Sequence, residues 1–326
     1  TEDEIIASIP YLTFQFNFRS GWGYSNLMYV TAGKVIEVVT EKTWTENVKE
    51  RILTPLGMDR TIANIDRLEE MGNVASPHAR EEGENFPIAW VDWSDIAAMG
   101  GLISSVEDMS KWMIFNLNHG VWQGDTLLSA QSRNALWTPH NNFTVDHTNS
   151  NPFNRHFSGY GLGWGLSDYH GRLRVGHTGG FDGMLSALNL IPDEKLGVVV
   201  LTNGMKSPMM AATYYAIDAF LNLEETDWSG RFLEMTNERE KHDTRISDRE
   251  ASRVTGTTPS LDLEKYTGRY KSDIYGNILV DLNSDGELRL SFEHTPEYSS
   301  TLRHWHYDVW RIEWDTPQAW FKFGTV

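Results

Sequence analysis

An α+β fold is predicted for this chain, from three observations. Over the first half, apolar residues recur at helical spacing between loop-rich stretches. From about residue 160 the texture changes to short apolar runs joined by tight turns. The last part alternates apolar and polar residues with a period of two. Together they imply an antiparallel sheet with packed helices plus an all-α subdomain, followed by a small antiparallel β-barrel-like domain.

Each element has a local cause. Leu27, Val30, Gly33, Val35 and Val38 recur at helical spacing. Trp44, Val48, Ile52 and Leu53 carry a second helix, which Pro55-Leu56-Gly57 stops. Residues 58–100 read as loop-rich. Ser105 caps the next helix with Asp108 at its third position, and that helix runs to Gly120. Residues 139–158, rich in Pro, Asn, His and Ser, read as a long surface loop. Strands are expected at 160–166, 173–175, 184–191 and 196–201, the last two joined by Pro192-Asp193-Glu194-Lys195. A helix over 207–221 packs on that sheet. Residues 224–259 are charged and read as a linker or a solvated helix followed by a loop. Ile278, Val280 and Leu282, then Leu288, Leu290 and Phe292, alternate across the turn Asn283-Ser284-Asp285-Gly286. Trp305, Tyr307 and Val309 continue the period, and a last strand is expected over 319–323.

Composition narrows the partners. The 326 residues suit two domains, or at most three. Lys and Arg number 28 against 45 Asp and Glu, a formal charge of −17, which repels a phosphate backbone and an anionic surface. Nucleic acid is therefore not expected as a partner. No run of about 20 apolar residues is present, so no membrane span is expected. Cysteine is absent, which removes disulfides, thiolate nucleophiles and Cys-ligated zinc. The many Trp, Tyr and Phe fill a core or line a cleft. The chain opens on Thr1-Glu2-Asp3-Glu4 with no leader pattern, so either a signal was processed away or the sequence is an internal piece of a longer protein.

Two stretches carry chemistry. Tyr24-Ser25-Asn26 stands before the first long helix, where a phenol can handle a proton and an amide can hold a polar group. Gly176-His177-Thr178-Gly179-Gly180-Phe181-Asp182-Gly183-Met184 ends a strand and leads into a hairpin. Its glycines let a ligand approach the backbone, and His177 is a candidate acid, base or donor. Read singly, the first is equally a Ser N-cap beside a packed Tyr, and the second a glycine-rich turn.

In this order the pair resembles the serine β-lactamase and penicillin-binding-protein superfamily, in its class C-like branch of esterases and S12-type peptidases. Tyr24-Ser25-Asn26 matches the Tyr-x-Asn motif, and His177-Thr178-Gly179 the His form of Lys-Thr-Gly. Pro55-Leu56-Gly57-Met58, Gly100-Gly101-Leu102-Ile103-Ser104-Ser105 and Tyr160-Gly161-Leu162-Gly163-Trp164 agree as flanks. The resemblance implies a β-lactamase/transpeptidase-like fold, N-terminally incomplete. Residues 1–222 would be a partial hydrolase domain (1–158 mostly helical, 159–222 sheet and C-terminal helix). Residues 223–260 would be a linker and 261–326 a lipocalin-like β-domain marked by Tyr266-Thr267-Gly268-Arg269-Tyr270.

The family's nucleophile motif, Ser-x-x-Lys, does not occur in this sequence; the nearest string is Thr31-Ala32-Gly33-Lys34, on the wrong side of Tyr24. The resemblance therefore places the nucleophile on a segment upstream of Thr1, which becomes an obligate partner of this chain. It implies an acyl-enzyme hydrolase of esters, peptides or amides, acting on a small-molecule or peptide substrate without a cofactor or metal. Tyr24, His177 and the Gly180 N–H would be catalytic, and Asn26, Thr178 and Gly179 would bind substrate. A neutral His in place of Lys implies weaker selection for carboxylate-bearing β-lactams. A periplasmic or secreted location is implied by the same resemblance. The alternative is a non-catalytic binding protein that keeps the fold.

Other features carry less. His119, His140, His147, His156 and His170 lack metal-ligand spacing. Asp92, Asp95, Glu107 and Asp108 show no fixed separation for glycoside hydrolysis. Trp305, Trp310, Trp314 and Trp320 read as barrel interior and edge, with a cleft-facing role for one of them as the second reading. The tail is expected to lean on the hydrolase part and border its cleft.

Overall fold

The computed structural model describes residues 1–81, 83–147, 151, 153–320 and 324–326. Helix α1 (Glu2–Ser8) starts on a Thr1–Glu4 capping box and packs on α2 (Leu27–Thr40). A second capping box, Thr43 with Glu46, opens α3 (Trp44–Val48). The chain continues through a π-turn over Lys49–Leu53 into α4 (Thr54–Leu56) and stops at Gly57, φ +66°. Gly33 of α2 lies against the Ser94–Met99 turn, where a β-carbon would come within 2.7 Å of the Ala98 methyl. The loop-rich stretch also holds α5 (Leu68–Met71) and a hairpin of β1 (His78–Glu81) and β2 (Glu84–Pro87).

Ser105 caps α6 (Val106–Leu117) as expected, its Oγ accepting the Asp108 N–H at 3.2 Å. A short hairpin of β3 (Val121–Trp122) and β4 (Asp125–Thr126) follows, then α7 (Ala130–Leu136). The first large sheet comprises β5 (Asn141–Phe143), β6 (Ser158–Tyr160), β7 (Gly165–Tyr169), β8 (Arg172–Phe181), β9 (Met184–Ile191) and β10 (Leu196–Thr202). All pairings are antiparallel, in the order β10-β9-β8-β7-β6-β5. Alternation sorts its side chains. Leu166, Val175, Leu188 and Leu190 meet Met113 of α6 on one face. Tyr169 and Ile191 meet α8 (Met209–Leu221) and Trp228 of α9 (Trp228–His242) on the other. Short α10 (Arg245–Ala251) then leads to the tail.

Two expectations change. The 139–158 stretch is not a continuous loop, because β5 within it pairs with β6 (Asn141↔Tyr160). The strand expected over 160–166 is two strands, broken where Gly163 takes φ +78°. Strand β8 runs on to Phe181, so His177-Thr178-Gly179-Gly180 lies at the end of a strand that leads into a hairpin, as expected.

The tail is a second antiparallel sheet: β11 (Gly268–Ser272), β12 (Gly276–Leu282), β13 (Leu288–Phe292), β14 (Thr295–His306), β15 (Val309–Trp314) and β16 (Gly324–Thr325). Its order follows the chain, and β11 and β16 are its edges, so it is an open sheet and not the expected barrel. The physical reason is sidedness. Val280, Leu288, Leu290, Leu302, Trp310 and Ile312 form a core on one face. The other face carries Arg289–Asp315 and Arg303–Glu313 pairs, so the sheet has no second apolar layer to close around. Of the strand expected over 319–323, residues 321–323 lie outside the described residues. No helix among the described residues is long and apolar enough to cross a membrane.

Candidate active site

Strand β8 loses its β7 neighbour halfway along. The β7 pairing ends at Gly165↔Gly176, while the β9 pairing continues to Phe181↔Met184. Residues 177–181 therefore have one open side. The two-residue connection Asp182-Gly183 makes Phe181↔Met184 a hydrogen-bonded pair, so alternation turns the N–H groups of Thr178 and Gly180 toward that open side. The hairpin tip is clamped. The His78 N–H donates to the Gly183 carbonyl at 3.1 Å. Trp93 Nε1 donates to buried Asp182 at 3.0 Å, and its ring packs 4.6 Å from Phe181. Burial lifts the Asp182 carboxyl above the usual carboxylate range, against the pull of the Trp93 hydrogen bond.

A cleft of about 1300 Å³ runs along this edge, and Tyr24, Asn26, His177, Thr178, Gly179 and Gly180 all line it. Residues 153 positions apart are thus brought together: the Tyr24 and His177 rings lie 6.2 Å apart. Tyr24 remains 52% exposed. Burial raises its phenol above the ordinary tyrosine value, and neighbouring Tyr29 adds to the shift, so the phenol holds its proton at neutral pH. Asn26 sits at the α2 N-cap position, yet its amide makes no capping hydrogen bond and remains open to the cleft.

Several site residues were not singled out from the sequence. Tyr160 donates to or accepts from His177 Nε2 at 2.9 Å, while His177 Nδ1 lies 2.5 Å from the Thr178 carbonyl. Trp22 packs 5.9 Å from Tyr160, 6.2 Å from Tyr24 and 5.0 Å from Phe143, an aromatic cluster that backs the cleft-lining Tyr24 and Tyr160. The signal for Tyr160 was present in Tyr160-Gly161-Leu162-Gly163-Trp164, which was read only as a flank. Trp320 from the tail also lines the cleft; a β-carbon on Gly180 would meet its ring at 3.1 Å. Of the four tail tryptophans, Trp305 and Trp310 are buried as expected, whereas Trp320 faces the cleft.

The remaining candidates separate from the cleft. Thr31 Oγ1 donates to the Leu27 carbonyl, and Lys34 pairs with Asp3 and Glu37; neither residue lines the cleft. Among the described residues no lysine lines it. Asp108 is buried and accepts from the Arg60 N–H and Thr61 Oγ1, which is an anchoring role. His156 pins a loop through Asp168 at 2.6 Å, and His140 Nε2 contacts the Ala135 carbonyl.

This fold and cleft define a β-lactamase/penicillin-binding-protein-like architecture, and comparison with known proteins agrees. The model of the Beta-lactamase family matches residues 2–222, and the chain belongs to that family, within the superfamily of β-lactamase-like serine hydrolases. Residues 252–325 match a domain of unknown function, DUF3471. The chain is 28% identical over 291 residues to the unguisins hydrolase ungD' of Aspergillus campestris, covering 85% of this chain and 52% of that protein. It is 26% identical over 332 residues to the unguisins hydrolase ungD of Aspergillus violaceofuscus, covering 93% and 58%. The chain thus spans about half the length of the curated relatives it matches. The octameric penicillin-binding protein homologue from Pyrococcus abyssi shares the fold at 24% identity and a TM-score of 0.54, over 92% of this chain and 60% of that one.

Proposed function

We propose that this chain is the larger part of a serine hydrolase that cleaves an ester, peptide or amide through an acyl-enzyme. The observation that carries this reading is the meeting of Tyr24 and the His177–Gly180 strand across one cleft. Tyr24 shuttles the proton, Asn26 orients the carbonyl-bearing group, and the outward Gly180 N–H is one donor to the developing oxyanion. Thr178 and Gly179 hold substrate along the open side of β8. His177 takes the position of the family's lysine. The cleft-lining rings of Tyr24 and Tyr160, backed by Trp22, suit an apolar or aromatic group on the substrate.

The nucleophilic Ser and its Lys come from chain upstream of Thr1 in this reading. Three features support it. Among the described residues no lysine lines the cleft, although the Tyr24 phenol needs a cation close to it to act as a base. Strand β10 pairs only with β9 and leaves Leu201 exposed at that edge. Val35, Val38 and Val39 of α2 are exposed apolar side chains. Residues 1–222 then form the hydrolase part, 223–260 the connector and 261–326 the appended sheet.

The test compares residues 1–326 with the same chain extended upstream as its gene encodes. Each is mixed with a nitrophenyl ester, and covalent acylation is read by intact mass. Acylation confined to the extended chain is expected. Acylation of residues 1–326 alone would relocate the nucleophile, and none in either would favour a binding protein that keeps the fold.

A further inference from the structure

The row of β6, β7 and β8 that holds Tyr160, Gly165 and Gly176 is bare of side chains after its first member. Past that row the β7 pairing has ended, and there the Tyr160 hydroxyl meets His177, one residue further along β8. The contact that results has a direction. The Thr178 carbonyl can only accept, so His177 Nδ1, 2.5 Å away, carries the hydrogen. A neutral imidazole has one N–H, which leaves Nε2 as a lone pair. The Tyr160 hydroxyl at 2.9 Å is then the donor to it.

The groups around this imidazole are phenols. Tyr160 comes from β6, Tyr24 from the approach to α2, and Tyr29 of α2 faces the Tyr160 hydroxyl. Tyr160 is held strongly protonated by burial, with Tyr29 and Tyr24 adding to the shift. The hydroxyl therefore has a hydrogen to give.

We propose that Tyr160 is a positioning and specificity residue: together with the Thr178 carbonyl it holds His177 as the Nδ1–H tautomer, so that at position 177 the strand offers a substrate neither a cation nor an imidazole donor. The site then favours substrates that are uncharged beside His177 over those with a free carboxylate there, because a carboxylate needs a donor and meets a lone pair. The selectivity half of this proposal rests on the hydrolase reading above; the tautomer half stands without it.

The tautomer is read directly in residues 1–326 labelled with 15N-histidine, by two-bond proton–nitrogen correlation at about pH 8, above the ordinary histidine range. His177→Gln identifies the signals. The wild type is expected to show a hydrogen-bearing Nδ1 and a bare Nε2. Tyr160→Phe, which keeps the ring, is expected to move the hydrogen toward Nε2. Tyr29→Phe is expected to leave it in place, and unchanged His156 signals report an intact fold. A wild-type ring with its hydrogen on Nε2, or a tautomer indifferent to Tyr160→Phe, overturns the proposal whatever the protein hydrolyses. In the chain extended upstream, the ratio of kcat/KM for a neutral ester over its carboxylate-bearing analogue should fall about tenfold in Tyr160→Phe, the order expected for one hydrogen bond to a charged group. An unchanged ratio sinks the selectivity half, while a wild-type extended chain that hydrolyses neither ester sinks the hydrolase reading and leaves the tautomer to the spectrum.

Discussion

The two large sheets have the same topology and opposite uses. Each contains six antiparallel strands laid in chain order. In the tail, cross-strand pairs such as Val280↔Leu290 and Leu302↔Ile312 fill one face, and ion pairs such as Arg303–Glu313 occupy the other. Nearly every position holds its neighbour, and the register is fixed by side chains. In the first sheet, β8 has been stripped where it matters: Gly176, Gly179 and Gly180 remove side chains, and β7 stops short. Helices and the clamped Asp182-Gly183 tip then hold what the strand cannot hold itself. A sheet that packs through its own side chains is a scaffold. One whose side chains are withdrawn exposes backbone donors, and must borrow its rigidity from its surroundings.

Substitutions can break or sharpen this contrast, and the largest effect is expected on chemistry. In the chain extended upstream, Tyr24→Phe should lower kcat by about 10²–10⁴-fold while the melting temperature stays put. Equal activity would remove Tyr24 from the proton path. Next, Leu290→Ala in the tail core should destabilise by about 2–5 kcal/mol in chemical denaturation, since Leu290 is fully buried. Gly176→Ala places a methyl 2.7 Å from the Leu188 carbonyl oxygen. A loss of about 1–3 kcal/mol is expected from such overpacking, and no loss would mean that β8 is not packed as tightly as described.

Asp182 gives a pH-dependent effect. Its carboxyl is raised in the folded state, so its contribution to stability is present below the unfolded carboxylate range and fades as pH rises through the folded value. Asp182→Asn should therefore raise the melting temperature at pH 7, with the gain vanishing near pH 3. A gain that grew on acidification would contradict the burial argument. The smallest effect belongs to the exposed Arg303, whose pairs with Glu287 and Glu313 lie in water. Arg303→Ala should melt indistinguishably from the wild type.

Much of this was legible before the structure. The Ser105 cap, the hairpin over Pro192-Asp193-Glu194-Lys195 and the alternation of Ile278, Val280 and Leu282 are local signals, and each produced its element. Tyr24 and His177 announced themselves because their chemistry resides in residue type and order. What stayed hidden was relational. Strand β5 has three residues, too few to show alternation, and pairs with a strand that begins 15 residues after it ends. The donor to His177 could not be assigned from sequence, because Tyr160 meets it only where the assembled sheet loses the β7 pairing. Open and closed sheets share one alternation, so the barrel expectation failed on edge pairing, which periodicity does not encode. Trp320 looked like its three tail companions, and only the contact with Gly180 separates it.

That last contact couples the inheritance of two distant codons. Any side chain at position 180 would strike the Trp320 ring, first met at 3.1 Å. A side chain at position 180 and the ring at position 320 thus compete for the same space, across about 140 residues and two separately recognised sequence modules. A change at position 320 therefore alters the space along the strand edge that lines the cleft, although the two positions belong to different sheets.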